Sequence, residues 1–308
     1  MEDLAITPAF SAKGPGTTLA HGRPDWVDRQ AFPFRSRRLE LARGGVHYVD
    51  EGAGEPVLLV HGTPTWSFEY RHLIRALARQ RRVIALDNLG FGLSDRPRDF
   101  AYTPEAHAEV LREFVDRLGL GRFALVTHDY GGPFALPLAL DAPDRVEKLV
   151  LFNTWLRPFD DPAMRRGARL AGSSFGRFLY RRLNFSLRVL MPSAYGDRRK
   201  LTPALHRQYL EPFRDVDARS SVLWPLARAL TRSEGHFESL WQRRARLANT
   251  DTLILWGMRD RALPPALLER LREGLPHARV EAVEEAGHWP HEEAPERVNS
   301  RVAEFLSC

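Results

Sequence analysis

The sequence predicts an α/β fold, with a mostly parallel eight-stranded sheet flanked by helices and a helical cap inserted late in the chain. Three observations carry that prediction. Short, continuously apolar runs recur at 57–60, 83–86, 123–126, 149–152 and 253–256, as expected of strands buried on both faces. Helical patterns separate the early runs, around 70–78, 104–118 and 133–140, and such alternation gives a parallel sheet covered on both sides. After Phe152 the alternation stops, and it resumes only near Asp251. An insertion placed there lies over the carboxyl ends of the strands, where open α/β sheets bind ligands.

Taken in order, residues 1–30 contain Pro8, Gly14, Pro15, Gly16 and Gly22 with few periodic apolar positions, and read as an irregular arm. Residues 39–41 and 46–49 flank Gly44-Gly45, a hairpin signal at a sheet edge. The core is expected over 31–155 and 248–308, with a last strand at 280–283 and a closing helix at 295–305. The cap is expected over 156–247, with helical segments at 175–190, 203–210 and 237–247.

Composition narrows the function. The chain has 308 residues, 44% hydrophobic and 27% charged, ordinary for a globular protein. No apolar run approaches the ~20 residues a membrane span needs, and the first 25 residues hold no signal-peptide core. No membrane insertion and a cytoplasmic address are expected. The lone cysteine is Cys308, which fits a reducing compartment. The net charge of +6 comes almost wholly from arginine, because the lysines are Lys13, Lys148 and Lys200. These arginines are spread out, with a local excess from Arg165 to Arg188, and no nucleic-acid module accompanies them. They read as a solvated face, and no nucleic-acid partner is expected. With no H-E-x-x-H motif and no cysteine pair, neither metal nor cofactor is expected.

The chemistry concentrates after three strands. The strand at 123–127 runs into His128-Asp129-Tyr130-Gly131-Gly132, the layout of a nucleophile elbow with aspartate at its tip. A carboxylate there can attack carbon and leave an ester that water must hydrolyse. Asp260 follows the strand ending at Trp256, and His288 lies just beyond the last strand. Nucleophile, acid and histidine thus arrive in the order expected of an elbow triad, with Asp260 orienting His288 as the base. His61-Gly62-Thr63-Pro64 follows an earlier strand and can aim the Thr63 N–H at the same point as that of Tyr130, forming an oxyanion hole. His128 reads as a structural neighbour. Gly172-Ser173-Ser174-Phe175-Gly176 matches the serine-esterase motif, but no strand precedes it, so no nucleophile is assigned there.

From about Phe34 onward the chain resembles the haloalkane dehalogenase and epoxide hydrolase branch of the α/β-hydrolases. The resemblance rests on His61 to Phe68, Asp87 to Asp95, Thr127 to Pro133 and Ile254 to Met258. Pro64-Thr65-Trp66-Ser67-Phe68 and Tyr209-Leu210-Glu211-Pro212-Phe213 resemble dehalogenases more, as does an acid at Asp260 in place of Asn153. The resemblance implies halide displacement through an aspartyl ester, with a small apolar organic substrate and water as reactants. It also implies halide contacts at Thr63 and Tyr130, where family dehalogenases often carry asparagine and tryptophan. A hydroxyl rotates and also accepts, so it solvates a halide less reliably than an indole or amide N–H. Trp155, Trp224 or Trp241 are candidate cap donors. Two alternatives stay open: epoxide or lactone ring opening, with Tyr180, Tyr195 or Tyr209 as cap acid, and a non-catalytic binding protein on the same scaffold.

Overall fold

A computed structural model describes residues 17–18 and 23–307. Cys308 and most of the expected N-terminal arm lie outside the described residues. The eight expected strands are present: β2 (Ser36–Leu41), β3 (Gly44–Glu51), β4 (Pro56–Val60), β5 (Arg82–Leu86), β6 (Phe123–His128), β7 (Val146–Phe152), β8 (Asp251–Gly257) and β9 (Arg279–Val283). A two-residue strand β1 (Thr17–Thr18) joins them, pairing with Arg37 and Arg38 inside a stretch expected to be irregular. The sheet order is β1-β2-β3-β5-β4-β6-β7-β8-β9. The first three strands run antiparallel to their neighbours, and the rest are parallel.

Strand order reverses at β4, which has β5 on one side and β6 on the other, so a crevice opens beyond its carboxyl end. Register keeps the neighbouring ends level. Val60 pairs with Thr127, His128 with Phe152, Phe152 with Leu255, and Gly257 with Val283. Loops leaving β4, β6, β7 and β8 therefore emerge side by side. Every residue of β6 is buried, as its unbroken apolar run requires when helices cover both faces.

Helices α1 (Arg71–Leu77), α2 (Pro104–Arg117) and α3 (Gly131–Asp141) lie between the strands where periodicity placed them. Between β7 and β8 the described chain is helical, beginning with α4 (Pro162–Ala171) and α5 (Ser174–Leu183). One difference is local. The single helix expected over 175–190 breaks at Asn184, which takes φ = 48° and caps α5 in the left-handed conformation, a role asparagine tolerates better than most residues. The esterase-like serines open α5: the Ser173 hydroxyl accepts the Gly176 N–H at 3.1 Å as an N-cap, and Ser174 is exposed. No helix among the described residues is long and apolar enough to cross a membrane.

Candidate active site

Between the end of β6 and the start of α3, Asp129 and Tyr130 turn the chain. Asp129 adopts φ = 50°, a left-handed conformation uncommon for a residue bearing a Cβ. Its N–H donates to the Asn153 carbonyl at 3.1 Å, and its own carbonyl accepts the Thr154 hydroxyl at 2.7 Å. Two glycines make the approach of neighbouring loops possible: a Cβ on Gly62 would run into the Asp129 carboxylate, and one on Gly131 into the Val60 carbonyl. With that space kept clear, the Thr63 N–H donates to Asp129 Oδ1 at 2.9 Å.

The three expected triad positions come together. His288 Nε2 stands 3.4 Å from Asp129 Oδ2, and its Nδ1 stands 2.6 Å from Asp260 Oδ2. All three residues are buried. Burial opposes a charge on the His288 ring, but the two carboxylates, Asp260 foremost, outweigh it and raise the ring to about 10. The two carboxylates therefore favour the protonated ring. Asp260 is fixed in turn: its Oδ1 accepts the N–H groups of Ala262 and Leu263 at 2.7 and 3.0 Å, and its Oδ2 accepts Asn153 Nδ2 at 2.8 Å.

Asn153, which the sequence identified only as the place where the acid is not, thus ties the elbow to the acid. A second support comes from His128, expected as a structural neighbour, with Glu69 and His291, which the sequence did not single out. His128 Nε2 donates to the His288 carbonyl at 2.8 Å, and its Nδ1 faces Glu69 Oε1 at 3.2 Å. Glu69 is fully buried and also accepts the Thr65 hydroxyl. Burial works against its charge, yet His128 and His291 hold the carboxyl well below its ordinary range. Glu69, His128 and His291 are the group of described residues whose potential metal-ligand atoms lie within 4.8 Å of one another. None of the three lines the cavity above Asp129.

That cavity measures about 170 Å³ and is enclosed largely by apolar side chains, among them Phe159, Leu190, Met191, Leu223 and Leu263. Trp155 lines it, with its ring 4.8 Å from that of Tyr130 and edge-on to it. The other two tryptophan candidates do not: the Trp224 indole donates to the Ser173 carbonyl, and Trp241 lies beneath the guanidinium groups of Arg157 and Arg244. Trp289, directly after the histidine, also lines the cavity, and its buried Nε1 has no protein partner among the described residues. The Tyr130 side chain is engaged elsewhere. Its hydroxyl donates to the Leu226 carbonyl at 2.6 Å, 96 positions away, so the proton a halide would need is already engaged. Of the three cap tyrosines, Tyr180 reaches the cavity, whereas Tyr195 and Tyr209 donate to Glu292 at 2.5 and 2.6 Å.

A buried carboxylate at an elbow, a histidine against it and a mostly parallel sheet beneath define an α/β hydrolase. Residues 55–295 match the family described as alpha/beta hydrolase fold. The chain is 38% identical over 278 residues to haloalkane dehalogenase 2 of Mycobacterium tuberculosis, covering 90% of this chain and 96% of that protein. It is 31% identical over 286 residues to a cis-3-alkyl-4-alkyloxetan-2-one decarboxylase of Shewanella oneidensis, covering 90% and 89%. Among solved structures, haloalkane dehalogenase DatA from Agrobacterium tumefaciens matches with a TM-score of 0.77 and 27% identity, over 89% of this chain and 96% of that one. The chain belongs to the α/β hydrolase fold family, in the branch that contains haloalkane dehalogenases. It is accordingly an enzyme, which retires the non-catalytic alternative.

Proposed function

We propose that the protein is a haloalkane dehalogenase-type hydrolase acting on small apolar organic halides with water, and that the helical segment 156–247 caps the 31–155 and 248–308 core. The observation that carries the reading is the Asp129 carboxylate, with one oxygen on the Thr63 N–H and the other facing His288 Nε2. Asp129 Oδ2 attacks the carbon bearing the halogen; a carbon–oxygen bond forms and the halide leaves with its electron pair. The alkyl ester removes the negative charge beside His288, so the ring loses one of the two anions that raise it. It can then surrender its proton and act as base when water adds to the Asp129 carboxyl carbon. The Thr63 and Tyr130 N–H groups receive the oxyanion, Asp260 holds the imidazolium that re-forms, and collapse returns the carboxylate and an alcohol. The balance is alkyl halide plus water to alcohol, halide and a proton. Trp155, which lines the cavity, is assigned to solvate the halide, with Thr63 assisting and the buried Trp289 indole as a second candidate donor. A cytoplasmic setting belongs to the same proposal, on the strength of the chain's lone cysteine.

The test is halide release from chloro-, bromo- and iodoalkanes, expected from the intact enzyme and absent in Asp129→Ala. No release above that variant from any of them rejects dehalogenation. A second reading, opening of an epoxide or β-lactone ring by the same carboxylate, is favoured by Tyr180. Burial foremost, with Asp129 nearby, pushes its hydroxyl up to about 12, so it holds a proton for a leaving oxygen. Diol formation from styrene oxide that Tyr180→Phe abolishes establishes this reading; formation unaffected by Tyr180→Phe removes Tyr180 from it.

A further inference from the structure

The helical insertion carries an exposed apolar face that lies outside the substrate cavity except at Leu190. Seven large apolar side chains are exposed among the described residues, and six of them, Leu170, Phe175, Phe178, Leu183, Val189 and Leu190, fall between positions 170 and 190. Phe175 and Phe178 are 57% and 54% exposed; large apolar side chains exposed so densely along one stretch mark an interaction surface. Residues 162–194 also hold seven arginines and no aspartate or glutamate. Arg165 and Arg181 pair with Glu234 and Asp217, and Arg177 lies over the Trp224 ring. Arg166, Arg169, Arg182 and Arg188 have no ion pair among the described residues. Along α5, Phe175, Phe178 and Arg182 follow one another at helical spacing on the exposed side, while Gly176 and Tyr180 are buried.

We infer that this face docks on an anionic phospholipid surface, with guanidinium groups on the phosphates and the phenylalanine and leucine side chains in the acyl boundary. Charge selects that occupant. A second copy seated by a two-fold axis would bring the same arginines, Arg166, Arg169, Arg182 and Arg188, against each other, whereas an anionic leaflet neutralises them. A nucleic-acid duplex supplies phosphates but no apolar phase for Phe175 and Phe178. Position agrees, because Tyr180, Ser186 and Leu190 of the same stretch line the cavity over Asp129. The docked face therefore borders the substrate chamber, and the chain lies on a membrane without spanning it. Docking does not depend on which reaction the site performs.

Sedimentation of the full chain with vesicles tests it. Binding is expected to phosphatidylcholine vesicles containing phosphatidylglycerol, not to phosphatidylcholine alone, and is expected to weaken as salt rises. Each Arg→Ser change at 166, 169, 182 or 188 lowers affinity about five-fold, and Phe175→Ser with Phe178→Ser lowers it further. These side chains are exposed, so the variants keep the wild-type melting temperature; should one fail to fold, the salt series on the native chain still decides. No binding to the anionic vesicles, or binding unchanged by both sets of substitutions, overturns the inference. A concentration-dependent dimer that Phe178→Ser dissociates, without vesicle binding, assigns the face to a second copy and overturns it equally.

Discussion

At the scale of single residues, groups that meet substrate are distinct from groups that hold them in place. Asp129→Ala removes the attacking atom, and kcat in halide release is expected to fall by more than about 10³-fold. Asp260→Asn keeps the shape but leaves His288 Nδ1 facing a neutral amide, and a loss on the order of 10⁴-fold in kcat is expected. A loss under tenfold shows that the acid does not orient the ring. Trp289→Phe keeps the ring and deletes the unpartnered indole N–H. If that N–H receives the halide, the loss is expected in the halide-forming step of single-turnover kinetics, with ester hydrolysis unchanged. The asparagine beside Asp260 explains why sequence alone undervalued position 153. Its importance comes from three hydrogen bonds to two residues 104 and 107 positions away, a partnership that no local pattern announces.

Elements bring those residues together, and the sharpest constraint lies between the insertion and the loop after β9. His288 N–H donates to the Ala194 carbonyl at 2.9 Å. Glu293 accepts the N–H groups of Gly287 and Gly196, both at 2.8 Å. Glu292 accepts from Tyr195 and Tyr209 and pairs with the buried Arg71. One short segment thereby fixes the histidine and fastens the helices above it. Glu292→Leu strands the Arg71 charge, and a destabilisation of about 3–5 kcal/mol is expected in urea unfolding; a change under about 1 kcal/mol contradicts the pairing. Strands and elbow were legible because burial on both faces writes itself as continuous apolar runs, and because a strand-to-helix turn needs its glycines. The break at Asn184 was not, since the apolar spacing on either side of it continues and only the backbone angle reveals the stop.

For the whole molecule, the arrangement predicts a dependence on pH. His288 is raised to about 10 in the fold from an ordinary 6.5, so the native state binds its proton more tightly than the unfolded chain does. That contribution is complete below about pH 6.5 and is lost as pH rises through about 10. Thermal unfolding between pH 7 and pH 10, points chosen to span that loss, should show a steeper decline for the native protein than for His288→Phe; parallel declines contradict a raised ring. Overall topology and the meeting of Asp129, Asp260 and His288 could be read from the sequence because each sits at a strand end marked by local signals. The engagement of the Tyr130 and His128 side chains could not, because their partners, the Leu226 carbonyl and Glu69, come from distant parts of the chain. The most direct measurement of the central claim is mass spectrometry of His288→Phe after exposure to a bromoalkane. An increase equal to the alkyl group, on the peptide containing Asp129, is the predicted result. An unmodified Asp129 peptide while the native enzyme still releases bromide from the same compound, or an adduct elsewhere, contradicts the account.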